Sequence, residues 1–315
     1  MLAFILRRVG GGLATLILSS LVVFSVIHLV PGDPIATAMG TDYNPAVDRA
    51  LRQLYGLNRP LVVQYWDWLT SLLRGNFGYS LTTKTSVWSE LSQRMPRTLI
   101  LLAGGVVISL VIAVPAGILA ARFAGGVIDR LVVVLTSSVL SVPQFWVGLL
   151  LIGFIGVKMQ LLPAGGYYPF SAGVGQAIKG LILPWITIAL PMSAFIARTL
   201  RSSMMDVVSQ NYVRTARSRG LSERSVVMTH VLRNASIPVT TVVGLEIGGL
   251  LGGAIIVEQV FSYPGMGNYM VNAVLRRDYP VLQASALLFT FGFILVNVVV
   301  DLVYGVLDPR IRVSR

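Results

Sequence analysis

The chain has 315 residues, of which 55% are hydrophobic and only 12% charged, with 25 basic residues against 13 acidic and a net charge of +12. A soluble domain carries about 25% charged residues, so the composition excludes an ordinary soluble globule. Continuous apolar runs, in place of alternating ten-residue segments, exclude a β-barrel. Cysteine is absent and the histidines are His28 and His230 alone, which excludes thiol chemistry and leaves a Cys/His metal site without support.

The expected fold class is an all-α integral membrane protein. The basic excess reads as loop arginine held on the cytoplasmic side against anionic headgroups, with no nucleic-acid partner. Residues 9–30 form the first apolar run, preceded by Arg7 and Arg8. It reaches the ~20 residues a helix needs to span. Its exit, His28-Leu29-Val30-Pro31-Gly32-Asp33-Pro34, is a poor cleavage site, so the reading is an uncleaved first helix starting inside.

Residues 31–97 form a polar external insertion with five prolines and the aromatics Tyr65, Trp66, Trp68, Tyr79 and Trp88, suited to a membrane surface. Apolar runs then predict spans at 98–121, 131–157, 181–197, 239–257 and 281–306, a permease-sized core over 98–310. The tail 311–315 is short and basic. Lysine and arginine are roughly twice as dense in the segments this topology places inside as in those outside, which puts both termini in the cytoplasm. No inverted internal repeat is visible. Pro115, Pro143, Pro184 and Pro191 fall inside spans, consistent equally with a moving pathway and with the ordinary use of proline in membrane helices.

Between the fourth and fifth spans lies a charged island, 198–237, holding Arg198, Arg201, Arg214, Arg217, Arg219, Arg224 and Arg233. Charge of this density cannot sit in lipid. Met204, Val208, Tyr212 and Ala216 recur every four residues, which predicts one helix over 201–219 with a single apolar stripe. Gly220 stands where a C-cap glycine belongs and Ser222 where an N-cap belongs, with Glu223 in the following first turn. Val227 with Val231 and Met228 with Leu232 mark a second helix. Such an elbow suits a docking handle for a soluble cytoplasmic partner; an amphipathic pair lying on the bilayer is the alternative.

The segment from Tyr212 to Pro238 resembles the coupling signature of ABC importer permeases, named for a Glu-Ala-Ala-x-x-x-Gly core. Thr215-Ala216-Arg217 stands at the Glu-Ala-Ala place, Gly220 at the glycine, Leu221-Ser222 follows, and Ile237-Pro238 closes the motif. The glutamate and second alanine are absent, and this form is similar to the variant in the dipeptide/oligopeptide/nickel permease family. Pro31-Gly32-Asp33-Pro34, Asn58-Arg59-Pro60, Gly75-Asn76-Phe77-Gly78, Glu258-Gln259-Val260-Phe261-Ser262-Tyr263-Pro264-Gly265 and the closing Asp308-Pro309-Arg310 extend the resemblance over nearly the whole chain. The long first insertion resembles the first of the two paired subunits.

The resemblance implies six transmembrane helices of the type I importer kind and a heterodimer with a second homologous permease. It also implies two cytoplasmic ABC ATPases that bind ATP and Mg, and an external substrate-binding lipoprotein. The coupling residues it implies are Tyr212, Arg214, Thr215, Ala216, Arg217, Arg219, Gly220, Leu221, Ser222 and Glu223, with the arginines facing acidic ATPase residues. The implied substrate is a di- or oligopeptide, with nickel as the alternative within the family; an autonomous channel or secondary transporter is the reading from another class. The chain contains no Gly-x-x-x-x-Gly-Lys-Ser/Thr motif, so it is expected to hold no cofactor itself and to be a transport subunit without its own enzyme site. Ser25, His28 and Asp33 are read as structural.

Intramembrane acids face a cavity or a partner. Glu246 and Glu258 are therefore candidates for the pathway or the permease–permease contact, and Asp301 for a structural role. Asn268, Tyr269 and Asn272, in an outer loop over 261–280, are candidates for the pathway mouth or for receiving the binding protein, with a simple interfacial re-entry the alternative.

Overall fold

The computed structural model describes residues 2–29, 44–54, 56 and 58–307. The Pro31-Gly32-Asp33-Pro34 motif, the 308–315 tail and the side chains of His28 and Asp301 lie outside the described residues. Among those described the backbone is helical, with one isolated bridge between Tyr79 and Ser86. Helix is the expected outcome, because hydrocarbon offers no partner to an unpaired backbone group.

In chain order the elements are α1 (Leu2–Leu29), α2 (Pro45–Leu54), α3 (Leu61–Leu73), α4 (Val87–Arg122), α5 (Val127–Ser141) and α6 (Gln144–Leu151), which runs on as a π-helical stretch to Lys158. They continue as α7 (Val174–Val208), α8 (Asn211–Ser218), α9 (Glu223–Val260, with a π-helical stretch at Val226–Val231), α10 (Met266–Arg276) and α11 (Tyr279–Leu307). Four are long and apolar enough to cross a membrane: α4, α7, α9 and the Tyr279–Val299 part of α11. The pair α5 and α6 counts as a fifth if its two arms form one span. In α1 the shorter stretch Gly10–Ser25 is apolar.

Two expectations change. The third span is not a single rod: α5 and α6 meet at 101°. Val142, the residue before Pro143, is extended (φ −102°, ψ 130°) because the proline ring crowds the helical conformation of its predecessor. The helices also overrun their apolar cores. The 35 residues of α7 rise about 52 Å against a hydrocarbon thickness of ~30 Å, so part of the helix extends beyond the hydrocarbon.

The chain divides into two compact units, Met1–Thr98 with Pro264–Leu295, and Leu99–Tyr263 with Val296–Arg315. In the second unit α7 is central: 67% of its apolar window is buried, against 22% for α4. The approach of α4 to α7 depends on missing side chains. A Cβ on Gly104 would lie 2.1 Å from the Trp185 indole, and one on Gly105 2.4 Å from Ile188. Trp185 is held there by donating its indole N–H to the Ile100 carbonyl at 3.2 Å. Further along, Ala197 and Leu200 of α7 stand 3.0 Å from the Cβ that Gly117 lacks. In the first unit, Phe24 of α1 meets Tyr65 edge-on at 5.4 Å, and the Tyr65 hydroxyl and Ser20 are hydrogen-bonded at 2.8 Å. Val87 and Leu91 of α4 pack in one core with Met266, Ala273, Val281 and Ala284.

The helix seam makes a direct prediction. Gly104→Ala is expected to cost about 1–3 kcal/mol, since Trp185 can yield only by losing its hydrogen bond. Gly249→Ala, where a Cβ meets nothing within 4 Å, is expected to be neutral or slightly stabilising. Thermal unfolding of the two variants in detergent separates the outcomes.

Candidate functional site: the α7–α9 crest and the α10 cavity

The charged island forms a crest that starts differently from the predicted single helix over 201–219. Helix α7 ends at Val208 and α8 begins at Asn211, with Gln210 extended (φ −71°, ψ 147°). The Ser209 hydroxyl donates to the Asp206 carbonyl at 2.7 Å, and the Gln210 amide reaches the same carbonyl at 3.4 Å. Polar side chains of this kind compete for backbone acceptors and end helices. The break rotates the apolar stripe: Met204, Val213 and Ala216 are buried, while Tyr212 turns outward.

The elbow itself matches its sequence reading. Gly220 has φ +78°, the left-handed conformation of a helix C-cap. Ser222 is the N-cap of α9, its hydroxyl accepting from the Ser225 N–H at 3.4 Å. Arg217 spans the turn with two bonds to Glu223, at 3.1 and 2.7 Å. This pair holds α8 to α9 and raises the Arg217 pKa by hydrogen bonding. At this exposure it contributes ~0–1 kcal/mol. Val213 and Ala216 join Met204, Val226 and Val231 in the core of the second unit. Tyr212, Arg214, Thr215, Arg219, Leu221 and Arg224 stay exposed, and a Cβ on Gly220 would meet nothing within 4 Å. The crest is thus anchored from beneath and open above. In the second α9 stretch, Val226 and Val231 are buried and Met228 is exposed, because the π-helical turn shifts the i, i+4 register read from the sequence.

A second anchor was not legible in the sequence. Arg201, about two turns before the end of α7, holds Asp129 of α5 with two bonds, one of 2.8 Å, and the same carboxylate accepts the Gly125 N–H at 2.8 Å. The available signal is Asp129 in a first turn after a Gly-Gly pair. Its partner lies 72 positions on, a distance no local pattern spans.

The candidate acids separate. Glu246 is half-buried in the middle of α9 and Glu258 is fully buried in its last turns. Twelve residues apart, they are about 18 Å distant along the axis and cannot serve one small site.

The expected outer loop 261–280 is largely helix. Thr98 caps α10 by accepting the Met266 N–H at 2.9 Å, and Arg277 ends it in the left-handed conformation (φ 53°). That ending delivers Asp278 into a buried position. Its carboxylate accepts the Ser80 hydroxyl and the N–H groups of Leu81 and Thr82, at 3.1 and 3.2 Å for the two amides. Ser80 in turn accepts the Thr83 N–H at 2.9 Å. Beside this turn is a partly open cavity of about 240 Å³, lined by Thr82, Arg94, Tyr269, Asn272, Arg276 and Asp278 among others. The Asn268 and Asn272 side chains bond to each other at 2.9 Å. The Arg94 guanidinium lies over the Tyr269 ring, 4.5 Å from its centroid, and bonds to Glu90 at 2.8 Å. All three predicted mouth residues therefore border one cavity. The bond between Asp278 and Ser80, 198 positions apart, is what sequence reading missed.

Comparison with known proteins agrees with this architecture. Residues 113–313 match the family of binding-protein-dependent transport system inner membrane components, and residues 1–102 match the N-terminal region of such membrane components. A probable peptide ABC transporter permease protein of Sinorhizobium fredii is 38% identical over 98% of this chain and 99% of its own length. The glutathione transport system permease proteins GsiC of Escherichia coli K12 and Salmonella typhimurium are each 40% identical over 99% of both chains. The chain belongs to the family of inner-membrane components of binding-protein-dependent transport systems: it is an integral-membrane ABC permease, a transport subunit.

Two predictions concern the α10 region. Asp278→Ala strands two buried donors, the Ser80 hydroxyl and the Leu81 N–H, at about 1–3 kcal/mol each, so limited proteolysis within residues 74–86 is expected to accelerate strongly. Burial, with Glu90 and Asp278 nearby and against the opposing pull of Arg94, pushes the Tyr269 phenol up to about 12 from 10.0. The fold thus favours the neutral phenol: this contribution to stability is complete below pH 10 and is lost as pH rises through about 12. Tyr269→Phe is expected to remove one late-titrating group from the alkaline tyrosinate absorbance curve.

Proposed function

We propose that this chain is the pathway-forming subunit of an ATP-driven importer that moves peptides delivered by an external binding protein across the cytoplasmic membrane. In this reading it pairs with a second homologous permease. Two cytoplasmic ATPases, which bind the ATP and Mg, each seat one crest. The observation that carries the reading is the crest around Gly220: open above, and bonded beneath to the helix that is central to its unit. A push on α8 has few soft elements to absorb it, because Val213 and Ala216 pack on the α7–α9 core, Arg217 locks the elbow and Arg201 ties the base of α7 to α5. The displacement passes to α7 and α9. Exposed Arg214, Arg219 and Arg224 offer charge to acidic residues of an ATPase groove. Peptide as substrate is supported by relatives named for peptide and for glutathione transport.

The test is reconstitution with the partner permease, the ATPases and the binding protein, measuring ATP-dependent uptake of labelled short peptides. Uptake that requires every component supports the reading, and uptake by this chain alone overturns it. Gly220→Val imposes strain of about 1–2 kcal/mol on the elbow and places a branched side chain on the docking surface. Uptake is expected to fall about tenfold or more with unchanged amounts in the membrane.

A further inference from the structure

The cavity beside α10 has more hydrogen-bond donors than acceptors left to use. Its charged acceptor is occupied: the Asp278 carboxylate takes a hydroxyl and two amides, and beside it the Asn268 side-chain oxygen takes the Asn272 amide. Its donors are not. Arg276, at the end of α10, is exposed and has no ion pair among the described residues. Arg94 spends Nε and Nη2 on Glu90 and keeps Nη1. The Tyr269 hydroxyl is buried without a hydrogen-bond partner among the described residues.

Arg94 is neutralised by Glu90 and keeps one free nitrogen, so the unpaired Arg276 guanidinium is what selects an anionic acceptor, and a planar guanidinium matches a carboxylate best. At about 240 Å³ the cavity is smaller than the ~300–1,000 Å³ of sites that enclose a whole small-molecule ligand. It admits one end of a ligand.

We propose that this cavity holds the free carboxylate end of a peptide substrate, with Arg276 as its principal partner and the free Nη1 of Arg94 donating beside it. The assignment rests on the importer reading above. It makes the α10 region a reader of the terminus common to all free peptides, indifferent to side chains, so one pathway accepts many sequences.

The experiment uses the assembled transporter in nanodiscs without binding protein. The probes are acetyl-Ala-Ala and its C-terminal amide, which differ only in the carboxylate, and bound probe is read by saturation-transfer NMR. The acid is expected to bind about tenfold or more tightly than the amide, the scale of one charge-assisted hydrogen bond, and Arg276→Gln is expected to abolish that difference. Because Arg276 is exposed, the variant is expected to fold, and its thermal unfolding checks this. Equal binding of acid and amide, or unchanged acid binding in folded Arg276→Gln, overturns the proposal. A second arm measures binding-protein affinity for the complex: if Arg276→Gln weakens that and leaves the acid probe unaffected, the carboxylate belongs to a binding-protein side chain and the substrate assignment falls. Wild-type complex that imports peptide but ignores the carboxylate refutes this inference alone, whereas absence of any ATP-dependent peptide import refutes the reading beneath it.

Discussion

Helices in hydrocarbon gain nothing by burying leucine against leucine, since lipid is as apolar as the partner; they associate through close van der Waals contact and the occasional polar bond. The second unit rests on that constraint. Gly104, Gly105 and Gly117 strip one side of α4 so that Trp185, Ile188 and Leu200 of α7 can enter it. Trp185 adds the polar bond by donating to the Ile100 carbonyl, so the largest side chain of the seam is also fastened. With α4 drawn in on one side and α9 packed on another, α7 becomes the buried post of the unit.

A buried post gives force a defined place to enter. Helix α7 is longer than a bilayer is thick, and its C-terminal end leads into α8. The crest is neither an independent domain nor a loose loop. Its lower surface shares a core with α7 and α9, and its upper surface exposes an aromatic, arginines and a glycine elbow. The Arg217–Glu223 and Arg201–Asp129 pairs act as braces. Individually modest in energy, they fasten α8 to the start of α9 and α7 to α5.

Features legible in the sequence were those whose causes are local. Gly220 and Ser222 follow from the geometry of a helix end and a helix start a few residues apart. The membrane-spanning runs follow from hydropathy, although hydropathy alone read 131–157 as one span and passed over the break at Pro143. The register of the crest was less legible. Tyr212 sits on the apolar stripe of an ideal helix, but Ser209 and Gln210 interrupt that helix and turn it outward, and the π-helical stretch at Val226–Val231 displaces Met228 in the same way. Polar side chains at helix ends choose between backbone and solvent according to what packs around them, and periodicity does not carry that choice.

The sequence by itself determined the class of protein, the apolar runs, the charged island and the place of its elbow, because each depends on composition or on residues within a few positions of one another. Only the tertiary structure decided that α7 is the central helix, that Arg201 pairs with Asp129, and that Asp278 is clasped by Ser80, Leu81 and Thr82 beside a donor-rich cavity. These depend on contacts between residues tens to nearly two hundred positions apart. A guanidinium or a carboxylate in a sequence states what it can bond; the packing of helices selects which partner arrives within reach.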